Sequence, residues 1–135
     1  MFDSHPITFS SRVCFAFGAL FGMFAVIFSA LTSHLPDSYF SAGGREMARI
    51  ADNIIGWQAV ALIVIAILSR IWRPSIHLDI IGGFLLIGLA LFGGAVYYTA
   101  FTGQHPPFLP IAPIGGTMMI FGWFYLFLFA VFARK

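Results

Sequence analysis

The chain has 135 residues, of which 60% are hydrophobic and 9% charged, with a mean hydropathy of +0.95; soluble domains carry about 25% charged residues. A water-soluble fold of this size has no interior large enough to hide so much apolar surface, and 17 Phe with 14 Gly suit helices that face lipid. The formal charge of +2 comes from basic residues spread over several connections, which excludes the one-sided basic face of a nucleic-acid binder.

A membrane helix needs about 20 mostly apolar residues to cross about 30 Å of hydrocarbon. Four stretches meet that length, at residues 13–33, 50–68, 80–101 and 111–133. The expected fold is all-α: an integral membrane four-helix bundle in one transmembrane domain covering residues 1–135, with consecutive helices as antiparallel neighbours.

In the first span, Arg12 precedes an apolar run longer than the core of a secretory signal, so the segment reads as a permanent helix. Cys14, the single cysteine, lies at its edge as an inert apolar side chain. Gly18 and Gly22 form a Gly-x-x-x-Gly pair, and Ala25, Ser29 and Ser33 carry small residues onward on an adjacent stripe. Such positions let backbones approach closely, and they are the candidate face for packing within the bundle or for docking a partner.

The second helix begins in the headgroup region, because Met47, Ile50, Ile54 and Trp57 recur at helical spacing while Glu46, Arg49 and Asp52 lie elsewhere around the axis. Asp52 and Asp79 sit near helix ends and read as capping groups or as partners of Arg49 or His77. No ionisable group lies near the centre of a span, so the intramembrane carboxylate on which coupled exporters depend is missing. Gln58 is the one strongly polar side chain well inside a span, and its amide is expected to bond across to another helix.

Ser75 can cap the third helix, with Asp79 close to its N-terminal dipole. Ala90 and Gly94 repeat the small-residue spacing there. In the connection that follows, Pro106, Pro107, Pro110 and Pro113 stiffen the chain into a short lid, and Gly115 with Gly116 allows the fourth helix to approach the third. Of the histidines, His34 and His105 fall in one set of connections and His77 in the other, with His5 near the N terminus. No Glu-x-x-His or Cys-x-x-Cys-His pattern accompanies them, so neither a metal nor a haem cofactor is expected.

Arg12, Arg70, Arg73, Arg134 and Lys135 fall on one side of the membrane and Arg45 with Arg49 on the other. Positive charge is retained on cytoplasmic flanks, so both termini are expected in the cytoplasm.

The run Leu91-Phe92-Gly93-Gly94-Ala95-Val96-Tyr97, followed by Pro113-Ile114-Gly115-Gly116 and Gly122-Trp123, resembles the hallmark of the domain of unknown function 423 family, small four-helix membrane proteins with YgdD-like and transmembrane protein 256-like members. Thr32-Ser33-His34 is similar to the Gly-Ala-His-like segment that ends the family's first helix. The resemblance implies a membrane location and a helical bundle but no reaction. It also implies polar side chains where this chain has Gly93, Ala95, Ala112 and Gln58, and Tyr and His where it has Ile54 and Gln58. Residues and resemblance together lead to the expectation of a non-catalytic multi-pass protein of the inner (plasma) membrane. It would serve a larger, possibly respiratory, complex as an accessory or stabilising subunit, in contact with lipids and other integral membrane subunits. An oligomeric channel or solute carrier is the alternative, and a quinone or haem carrier comes third.

Overall fold

The computed structural model describes residues 7–72, 75–107 and 109–133, all of them helical or in connections, with no strand. Helix α1 covers Phe9–His34, α2 Gly44–Ile71, α3 Ile76–Thr102 and α4 Ile111–Phe132, and a short 3-10 helix at Asp37–Tyr39 lies between α1 and α2. His5, Arg73, Arg134 and Lys135, used above for the histidine and charge readings, lie outside the described residues.

All four helices are long and apolar enough to span a membrane. With 22 to 28 residues each, they are about 33 to 42 Å long at about 1.5 Å per residue, more than the hydrocarbon requires. Helices α1, α2 and α3 overrun their apolar spans, because backbone hydrogen bonding continues into the headgroup region, where polar side chains remain hydrated, whereas α4 keeps to its span. Helix α2 begins at Gly44, six residues before its apolar stretch, as the periodicity around Arg45 and Met47 predicts.

Local signals fix the ends. Thr8 caps α1 by accepting from the Ser11 amide at 3.2 Å, and Ser75 caps α3 by accepting from the His77 amide at 3.3 Å. Pro110 stands at the N-cap of α4, and Gly103 closes α3 at φ 71°, a left-handed conformation that glycine adopts without strain. The connection from α1 to α2 is tied to the end of α3 by Ser41, whose amide and hydroxyl both donate to the Ala100 carbonyl at 2.9 Å.

Helix α1 packs on α2, α2 on α3 and α3 on α4, with a smaller contact between α1 and α3. The inner pair, α2 and α3, carries the core: Leu62, Ile65, Leu78, Ile81, Leu85 and Leu89 are all but fully buried. The outer helices turn large apolar side chains outward, among them Phe15 and Val26 on α1 and Phe124 and Phe127 on α4. In water that surface would drive aggregation, whereas in a bilayer it meets acyl chains of matching polarity. The ends of the molecule are called proximal, where α1 begins and α4 ends, and distal.

Candidate functional site: a polar cleft at the distal end of α1 and α2

The small residues read as a face for packing within the bundle or for docking a partner lie largely inside the molecule. A Cβ on Gly18 would lie 2.8 Å from Ile63 Cγ1 and 2.9 Å from the Ala59 carbonyl oxygen, so Gly18 is where α1 crosses α2. Gly22 meets only the Ala59 methyl, at the 3.9 Å of ordinary contact, and Ala25 is buried on the same seam. Ser29, one turn further on, emerges at the surface.

On the other side, Gly115 marks the crossing of α3 and α4, since a Cβ there would lie 2.5 Å from the Phe92 amide nitrogen and 2.6 Å from the Gly88 carbonyl oxygen. Gly116 touches only the Phe92 ring edge at 3.9 Å, and Gly94 faces open space. Gln58 joins α2 to α4: its Oε1 accepts from Trp123 Nε1 at 3.2 Å. These positions serve separate seams and do not converge on one site.

Polar groups do gather at the distal end. The Tyr97 hydroxyl of α3 donates to Asp52 Oδ1 of α2, and the Tyr97 ring stacks on Phe28 of α1 with centroids 4.2 Å apart. The Thr32 hydroxyl, buried at the end of α1, donates to the Phe28 carbonyl at 2.7 Å and lies beside the Asp52 carboxyl. Asp52 therefore bonds across the bundle, in place of the expected pairing with Arg49 or His77. His77 instead shares a hydrogen bond of 2.6 Å with the Tyr125 hydroxyl of α4 at the proximal end.

Arg45 locks the roof of this region. Its guanidinium pairs with Asp37 at 2.7 Å, donates to the last carbonyls of α1 at Thr32 and, at 2.6 Å, at Leu35, and lies 4.7 Å over the Phe40 ring. A cation on the unsatisfied carbonyls of a helix C terminus answers both their missing donors and the negative end of the helix dipole. Phe40 in turn stacks on Phe101 of α3, with centroids 5.2 Å apart.

Beneath that roof a cleft of about 480 Å³ opens sideways between α1 and α2. Ser29, Ser33 and His34 line one wall and Asp52 with Asn53 the other, with the buried Ala25 and the exposed Val26 one turn further along α1. Hydroxyls, an amide, an imidazole and a carboxyl fixed by a phenol form a recognition set, able to donate and accept several hydrogen bonds at once. His105 stands apart, in the recess of the proline-rich connection. Among the described residues no three His, Cys, Asp or Glu side chains converge as metal ligands would.

A family profile described as Protein of unknown function (DUF423) matches residues 28–116. The chain belongs to that family. Thr32, Arg45, Asp52 and Tyr97 all lie within the matched segment, as do Ser29, Ser33 and Asn53 of the cleft, whereas Gly18 and Trp123 fall outside it. Among curated relatives, a UPF0382 membrane protein of Staphylococcus saprophyticus is 31% identical over 115 residues, covering 85% of this chain and 93% of its own. A UPF0382 membrane protein of Staphylococcus epidermidis is 32% identical over 120 residues, covering 85% and 92%. One of Staphylococcus haemolyticus is 32% identical over 114 residues, covering 81% and 87%. No solved structure matches the chain significantly.

The sequence marks parts of this family member's site unevenly. Tyr97 ends the glycine-rich run quoted above, and Thr32 begins the segment that closes α1, yet neither position announces Asp52 as its neighbour. Arg45 and Asp37 stand eight residues apart on opposite sides of a turn, and only the fold joins them.

Proposed function

We propose that this member of the family is a non-catalytic subunit of the plasma (inner) membrane, with both termini in the cytoplasm, that docks in the plane of the bilayer against a larger integral membrane partner through the distal α1/α2 cleft. The supporting observation is the polar lining of that cleft, whose α2 wall, at Asp52 and Asn53, falls within the hydrocarbon by the length of the helix. Asp52 is the ninth residue of α2, so it lies about 12 Å from the distal end of a helix that exceeds the hydrocarbon by only about 6 Å at each end. At that level acyl chains offer no hydrogen bonds, and polar side chains facing outward are stable against another protein's polar groups.

Solute passage through a single copy finds no support, because Leu62, Ile65, Leu85 and Leu89 fill the axis between α2 and α3. The docking reading is tested by mild solubilisation at native expression level. Wild type should retain a discrete integral membrane protein, and the double variant Ser29→Leu, Asn53→Leu should lose it while keeping its own thermal stability. Recovery of wild type alone as a monomer would overturn the reading.

A further inference from the structure

A second cleft lies on the same α1/α2 seam at the proximal end. Its volume is about 320 Å³, and its rim carries two guanidinium groups, Arg12 from the first turns of α1 and Arg70 from the last turn of α2. Below them the lining turns apolar within a turn: Phe15 and Ala16 on one side, Ile67 and Ala66 on the other. The floor is fixed, because the buried Ser11 hydroxyl donates to the Ala66 carbonyl at 3.0 Å and ties the two helices together there.

We propose that this cleft binds an anionic phospholipid, with its phosphodiester between Arg12 and Arg70 and the first part of an acyl chain along Phe15 and Ile67. Arg12 is the fourth residue of α1 and Arg70 the next to last of α2, which places both guanidinium groups at the level of the phosphates once the helix overhang is counted. Guanidinium matches a phosphate in geometry as well as charge, through paired N–H donors. Basic recesses between membrane helices on the cytoplasmic side recognise anionic headgroups on the same grounds. The apolar slot directly beneath the cations distinguishes a lipid from a free phosphate ion, which has nothing to place there. A zwitterionic lipid would fill the slot but leave the two cations without a net countercharge.

The test uses the full chain in mild detergent with added phosphatidylglycerol or phosphatidylcholine, reading bound lipid by native mass spectrometry. Phosphatidylglycerol should bind wild type at least tenfold more tightly than phosphatidylcholine, by an expectation of roughly fivefold for each arginine. Arg12→Gln and Arg70→Gln should each lose about that factor, while Arg49→Gln, an exposed arginine at the distal end, should bind as wild type does. Ala16→Leu fills the slot with both cations in place and should weaken binding too. Equal binding of the two lipids by wild type would overturn the proposal without reference to any variant. So would a preference surviving in the Arg12→Gln, Arg70→Gln protein, or competition by soluble glycerophosphoglycerol as strong as that of the lipid, which would show a phosphate site with no use for the chain.

Discussion

Arg45 gathers two helix-terminal carbonyls, the Asp37 carboxylate and the Phe40 ring around one guanidinium, and beside it the Tyr97 hydroxyl holds Asp52 across the bundle. The value of the Tyr97 bond can be isolated, since Tyr97→Phe keeps the ring stacked on Phe28 and removes only the donor. Hydrogen bonds between helices in membranes average about 0.6 kcal/mol and reach about 1.7 kcal/mol. This one serves an acidic group, so a loss of about 1 to 2 kcal/mol is expected in a reversible detergent unfolding titration. An unchanged midpoint would show that Asp52 does not depend on Tyr97. At this scale the sequence was informative about types and silent about partners. Gln58 was legible as a cross-helix amide because it is alone in an apolar run. Asp52 was misassigned because a turn of apparent headgroup helix around Arg49 hid how far down α2 it lies.

The helices themselves were the most legible feature, since apolar runs of membrane length have few other uses, and their ends moved only where polar turns extend the hydrogen-bonded backbone. Rotation about each axis was not legible. Neighbouring residues on a helix are about 100° apart, so paired glycines cannot both meet the same neighbour. Gly115 and Gly116 show the consequence: the first lies against the α3 backbone and the second does not. A large side chain at Gly115 must therefore separate α3 from α4. Gly115→Leu is expected to cost several kcal/mol, on the scale of overpacking and beyond the usual 1 to 3 kcal/mol or so. Gly116→Leu should cost clearly less and Gly94→Leu almost nothing. Thermal unfolding of the three variants in one detergent checks the order; a Gly116→Leu protein weaker than Gly115→Leu would contradict the crossing described. The stripe on α1 carries the same lesson. Gly18, Gly22 and Ala25 were readable as close-packing positions, but whether the stripe met a partner or α2 depended on the rotation of α1, and it met α2.

At the scale of the whole molecule, two inner helices carry the core and two outer ones are mostly open to lipid, and the seam between α1 and α2 ends in chemically opposite clefts: Asp52, Asn53 and serines at the distal end, Arg12 and Arg70 at the proximal end. The central claim is that the distal cleft is where a partner sits in the plane of the membrane. Site-specific photocrosslinking in intact cells, from a probe residue replacing Ser29 and in parallel from one replacing Phe124 on the outward face of α4, tests it most directly. The account predicts a discrete adduct with an integral membrane protein from position 29, abolished by Asn53→Leu, and only lipid adducts from position 124. Lipid adducts alone from position 29, or the same protein adduct from both positions, would contradict it.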